Sequence, residues 1–263
     1  MNIIRKGQLN TCNIREKVIS DTSVTYITFD NLEQTGIIRQ GFSTRLGGVS
    51  EGEFASMNLS FSRNDDPQAV MENYRRFTAI MDCTPDDVAA SHQTHTTNVR
   101  RVSSADKGKG VTRDKDYSDI DGLITDESGV LLACFFADCV PLYFVDPVHH
   151  AIGLAHSGWR GTVGRMGQKM IDSMSDAFGT RPEEVQAAIG PSICQSCYEV
   201  SEEVAVAFAK QFTPDRKLAV EYLQRCENVR LHRRDRENAD QEQDRGVFHS
   251  DRFPKRNSVF ELL

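Results

Sequence analysis

Apolar residues fall into two kinds of run along this chain. Short β-rich segments lie at 24–29 and 37–43, brief apolar runs, each too short for a typical helix, at 130–136, 141–145 and 151–155, and a further strand segment at 185–189. They predict strands, and the three between 130 and 155 predict a sheet buried on both faces. Two other segments repeat at three and four residues. Val70, Tyr74, Phe77 and Met81 follow Pro67, and Val163, Met166, Met170, Met174 and Phe178 precede Gly179. The first predicts a helix from Pro67 through Met81. The second predicts an amphipathic helix starting near Thr162 and stopping at Gly179, its methionines forming ordinary core. A further helix begins near Ser201, which suits an N-cap. A glycine-rich turn spans 45–52, and the hydrophilic stretch 103–121 predicts a surface loop over a pocket.

Composition narrows the class. The chain has 263 residues and a net charge of −7, with 39% hydrophobic and 26% charged residues. Those values fit a globule with a sizeable core and exclude wholesale disorder. The acidic balance argues against nucleic-acid binding, although a local basic pocket for a small anion remains open. No apolar run of bilayer length occurs, so no membrane partner is expected, and residues 1–8 lack a secretory apolar region. A cytoplasmic location is therefore the expectation. Seven cysteines, at 12, 83, 134, 139, 194, 197 and 226, are read as reduced thiols; Cys194-Gln195-Ser196-Cys197 is the only CxxC and has no second pair. Between 225 and 245, 12 of 21 residues are charged and apolar periodicity fades. That predicts a single domain over 1–224 and a poorly ordered charged tail over 225–263.

The candidate chemistry gathers at strand ends. His95, Cys139 and His156 each follow or end a predicted strand, and two imidazoles with a thiolate are ligands that Zn²⁺ prefers. Three protein ligands leave one position open, as catalytic zinc sites do. The same residues allow Cys139 to be a nucleophile with His156 as its base, or Cys139 to fill a core gap before Pro141. Arg160, flanked by Gly158, Gly161 and Gly164 before the predicted helix, and Arg45, beside its glycine turn, are candidates for binding phosphate; both also read as ordinary surface charges. Asn58 either contacts substrate or makes a turn. Asp138, next to Cys139, is the carboxylate for proton transfer or ligand support, although strand alternation points it away from Cys139.

Seven ordered segments carry a resemblance: 41–50 (GFSTRLGGVS), 57–60 (MNLS), 93–95 (QTH), 121–125 (DGLIT), 137–139 (ADC), 156–161 (HSGWRG) and 189–193 (IGPSI). Together they resemble the YfiH/YlmD family, formerly described as multicopper polyphenol oxidases or laccases and FAMIN-related. The resemblance implies an α+β fold, a four-layer α/β/β/α sandwich shared with cytotoxic-necrotizing-factor-like cysteine hydrolases. It implies a bound Zn²⁺, with His95, Cys139 and His156 matching the family's metal ligands. It also implies an enzyme acting on purine nucleosides and phosphate: phosphorolysis of adenosine, inosine, guanosine and methylthioadenosine, and deamination of adenosine. After Gln224 the chain departs from the family pattern, and the charged tail stands where members usually continue with Leu-Asp-Leu, Ala-Asn, a Cys-containing strand and a Phe-Phe-Ser-His-Arg-Arg run ending in Thr-Gly-Arg. Three other readings follow. A copper-dependent polyphenol oxidase fits poorly, because the seven histidines include no His-x-His pair, though Cu²⁺ outcompetes Zn²⁺ on intrinsic affinity. A Cys-His hydrolase is the second, and a non-enzymatic metal-binding module acting through a partner is the third.

Overall fold

The computed structural model describes residues 12–194 and 197–212, and the backbone of 257–262. The chain divides into two compact units, one of residues 1–192 with 255–263 and the other of residues 193–254. In the first unit the order is β1 (Cys12–Ile19), β2 (Thr22–Phe29), α1 (Asp30–Glu33), β3 (Arg39–Ser43), α2 (Pro67–Ala79), β4 (Val88–Ala90), β5 (Val99–Arg101) and β6 (Gly122–Thr125). It continues with β7 (Leu131–Phe136), β8 (Val140–Asp146), β9 (Ala151–Ser157), α3 (Trp159–Val163), α4 (Met166–Phe178) and β10 (Gln186–Ile189). The second unit contributes α5 (Glu202–Phe212), and β11 (Asn257–Leu262) returns to the first.

Two sheets form, in the orders β1-β2-β3-β11-β7-β4 and β10-β8-β9-β6-β5. Alternation along β7 explains the layering. Leu132, Cys134 and Phe136 face a core shared with Tyr143, Val145, Ile152 and Leu154 of the other sheet, while Leu131 and Ala133 pack with Val70, Tyr74 and Phe77 of α2. On the second sheet, Ile124, Phe144, Ala151 and Ala155 turn outward onto Met166, Met170 and Met174 of α4. The layers are therefore α2, sheet, sheet, α4, the α/β/β/α order expected. Each fully buried Leu or Phe in these clusters contributes about 1.5–3 kcal/mol. Helix α4 lies so close to its sheet that a Cβ at Gly153 would sit 2.7 Å from Met170 Cε.

The predicted strands and helices recur with shifted ends and one substantive correction. The helix expected from Thr162 to Gly179 is two helices. Gly164 closes α3, and Arg165 enters the left-handed region (φ 58°) before α4 begins. Arg160 is thus inside a five-residue helix and does not precede a long one. The stop at Gly179 (φ 78°) is as expected, and Asp66 caps α2 by accepting from the Gln68 N–H at 2.9 Å. The charged stretch 225–245 and the domain boundary at 224 lie outside the described residues. Residues 257–262, expected as part of the tail, pair antiparallel with both β3 and β7. Among the described residues no helix is long and apolar enough to cross a membrane.

Candidate metal centre

Strand register assembles the centre. In the antiparallel pairing of β6 with β9, Gly122 lies opposite Ala155, so Asp121 meets His156, whose N–H donates to the Asp121 carbonyl at 2.8 Å. In the pairing of β8 with β9, Pro141 lies opposite His156, which brings Cys139 to the end of β9. His156 continues the Ile152, Leu154 face into the space between the sheets and is 4% exposed, with its ring 5.5 Å from that of Phe136. His95 arrives from the loop after β4. Gln93 fastens that loop to the first sheet, its Nε2 donating to Phe135 O at 2.7 Å and its Oε1 accepting from Phe135 N at 2.8 Å.

The opposite anchor of the loop is Asp121, whose importance the sequence reading missed. Its carboxylate is wholly buried and accepts the N–H groups of Thr94 (3.1 Å), His95 (3.1 Å) and Thr96 (2.9 Å), the Thr96 hydroxyl (3.0 Å) and His156 Nδ1 (2.8 Å). Wrapping the loop around it places His95 in the left-handed region, φ 67°. Burial pushes this carboxyl up, but the bonds from His156, Thr94 and Thr96 outweigh that and bring it down to about 2. With Nδ1 donating to a carboxylate, His156 presents Nε2 as a lone pair. Its residue type alone gave no sign, because Asp121 ends a hydrophilic run; the available signal was its place immediately before the strand Gly122–Thr125.

The ligand atoms of His95, Cys139 and His156 lie within 4.8 Å of one another, and the two imidazole rings meet edge-on with centroids 4.9 Å apart. Tetrahedral zinc with bonds of about 2.0–2.3 Å needs ligand atoms roughly 3.3–3.8 Å apart, so small side-chain rotations suffice. Two imidazoles, one of them oriented by a carboxylate, and one thiol fit a metal in both donor type and support. Gly158 makes the convergence possible. A Cβ there would lie 2.9 Å from Cys139 Sγ and 3.0 Å from His95 Cδ2. Burial, followed by the Asp138 and Asp121 charges, pushes the Cys139 thiol up; burial, followed by His156, pushes His95 down, with Arg160 acting in the same direction. A cation at the centre would relieve both, since it stabilises a thiolate and takes a neutral imidazole.

The other predicted residues are distributed more widely. Asp138 is exposed beside Cys139. Arg160 is exposed and stacked on Trp159, its guanidinium carbon 4.3 Å from the ring centroid, and its charge reaches His95. Arg45 donates through Nε and Nη2 to Ala55 O at 3.1 and 2.6 Å. Asn58 is buried and donates to Asp65 Oδ2 at 2.8 Å, while Asn73 ties the same loop together at Val49, Ser50, Ser56 and Asn58. Both residues therefore have work in shaping the 45–60 loop. A second group, Asp146, His149 and Glu184, also has ligand atoms within 4.8 Å, but His149 Nδ1 pairs with Asp146 at 2.8 Å and Arg181 donates to Glu184, so these groups already have partners within the protein.

Residues 39–247 match the family described as multi-copper polyphenol oxidoreductase laccase. The chain is 43% identical over 171 residues to a purine nucleoside phosphorylase of Deinococcus radiodurans, covering 65% of this chain and 63% of that protein. It is 38% identical over 168 residues to the purine nucleoside phosphorylase YlmD of Bacillus subtilis, covering 62% and 59%. It is 32% identical over 173 residues to the adenosine deaminase RL5 of an unknown prokaryotic organism, covering 65% and 66%. The alignments with the first two thus span about three fifths of those relatives' length. The crystal structure of the Bacillus licheniformis protein YfiH superposes with a TM-score of 0.72 at 25% identity, covering 94% of this chain and 98% of that one. The layered fold, the sequence match over most of the chain and the YlmD and YfiH relatives agree: the chain belongs to the YfiH/YlmD family of multicopper polyphenol oxidase-like proteins.

Proposed function

We propose that this protein is a zinc-dependent purine nucleoside enzyme, cleaving adenosine, inosine, guanosine and methylthioadenosine with phosphate and deaminating adenosine. The observation that carries the reading is the meeting of His95, Cys139 and His156 around an Asp121-oriented imidazole. Relatives named purine nucleoside phosphorylase and adenosine deaminase supply the substrate class. When bound, zinc supplies Lewis acidity toward water and substrate oxygen at neutral pH. His95, Cys139 and His156 would hold it, and Asp121 keeps His156 in the tautomer that binds metal. Arg160 attracts the phosphate anion through its exposed guanidinium, with no contribution from a helix end, because α3 is too short. Asp138 carries the proton exchanged with bound substrate.

Elemental analysis of the purified chain tests the metal assignment. About one zinc per chain is expected, and Cys139→Ser should lose most of it. Full retention of zinc in the variant would overturn the ligand set. The contact between His156 and Asp121 also suits a second reading, a Cys139 nucleophile with His156 as base. The raised thiol works against it, since such a nucleophile needs its thiolate. That reading requires activity that survives chelation and disappears on thiol alkylation.

A further inference from the structure

The CxxC cysteines are not among the His95, Cys139 and His156 ligand group, and they fall in the other compact unit. Cys194 and Cys197 both carry thiols, and their Sγ atoms are 3.0 Å apart. The N–H groups of Cys197 and Tyr198 both donate to Cys194 O, at 3.0 and 3.1 Å, which holds the two residues together. The sulfurs are thus about 1 Å beyond the disulfide bond length of about 2.05 Å. Cys194 is exposed and Cys197 half-buried, so solvent reaches the first more readily.

We propose that Cys194 and Cys197 form a reversible thiol–disulfide pair that exchanges with low-molecular-weight disulfides. Cys194, as the thiolate after giving its proton to solvent, attacks one sulfur of the small disulfide. The Cys194–S bond forms, the disulfide S–S bond breaks, and one small thiolate leaves. Cys197, likewise deprotonated, then attacks Cys194 Sγ; the Cys194–Cys197 bond forms and the second small thiolate departs. Both small thiolates take up protons. Two protein thiols are oxidised and one small disulfide is reduced to two thiols. The order of attack follows from exposure, and the ring closes readily because the sulfurs already lie 3.0 Å apart.

The test is incubation of the full-length protein with glutathione disulfide, followed by intact mass measurement and peptide mapping. Wild type should lose two hydrogens, carry little glutathione adduct, yield a Cys194–Cys197 crosslinked peptide, and revert with dithiothreitol. Cys197→Ser should stop at the mixed disulfide on Cys194, raising the adducted fraction on the order of tenfold over wild type, because the intramolecular attack is lost. Equal adduct in wild type and variant, or a crosslink mapping to other cysteines, would overturn the proposal. The wild-type map decides the matter even if the variant does not fold.

Discussion

Replacing Asp121 by Asn tests how one carboxylate governs both loop and metal. Its carboxyl falls from 3.8 to about 2 on folding, burial being outweighed by its hydrogen bonds. A shift of that size corresponds to about 2.5 kcal/mol of charge-dependent stability. That is roughly 5–10 °C in melting temperature for a chain of this size. The folded pKa is depressed, so the contribution is complete above the unfolded value near 3.9 and is lost as pH falls toward about 2. The stability gap between wild type and Asp121→Asn should therefore be open at pH 7 and narrow as pH falls from about 4 to about 2. The amide has a second effect. If its oxygen faces Thr94 and Thr96, its NH₂ faces the His95 N–H and His156 Nδ1. The second contact forces His156 into the tautomer with Nε2 protonated, where it cannot bind metal. If the amide is flipped, NH₂ opposes the loop N–H groups instead. Zinc affinity, read by competition with a chromophoric chelator, should fall about 10- to 100-fold. Thermal melts of apo protein across pH give the stability term. A variant whose zinc affinity stays within about twofold of wild type, whatever its melting temperature, would refute the orienting role.

Three other substitutions separate fold from site. Gly158→Ala places a Cβ against Cys139 Sγ and His95 Cδ2, and since its φ of −75° suits alanine, zinc binding should weaken at least about tenfold with a melting shift of only a few degrees. Gly48→Ala puts a Cβ 2.0 Å from Ser56 O, so it should destabilise by about 3 kcal/mol or more in chemical denaturation, independent of metal. Arg160→Ala removes an exposed guanidinium stacked on Trp159. The phosphate KM of phosphorolysis should rise roughly ten- to hundredfold while deamination changes less. Equal loss of both reactions with a lowered melting temperature would make Arg160 a structural residue.

The parts of the fold that were legible in the sequence are those where burial acts on every residue or on one helical face. Strands β7, β8 and β9 lie between helix and opposing sheet, so 130–136, 141–145 and 151–155 are almost wholly apolar, and α2 shows its stripe clearly. Edge strand β1 exposes much of Ile14 and Val18, while β4 and β5 are three residues each, too short for any period to register. The break at Gly164–Arg165 was hidden because Val163 precedes Met166 at helical spacing although the backbone reverses hand between them. At the candidate centre, residue type drew notice to His95, Cys139 and His156, whose ligand atoms the fold brings within 4.8 Å of one another. Asp121 was hidden because an aspartate in a polar run looks solvated until the register of β6 against β9 buries it. Arg45 and Asn58 drew notice for their chemistry, and the structure gives them hydrogen bonds to Ala55 O and Asp65.

The central claim is that the His95, Cys139, His156 centre serves purine nucleoside chemistry. Chromatography of adenosine incubated with phosphate and the folded, zinc-loaded chain tests it most directly. The account predicts adenine and ribose 1-phosphate, with some inosine, and loss of these products in Cys139→Ser. Absence of all three products from folded, zinc-loaded protein would contradict it.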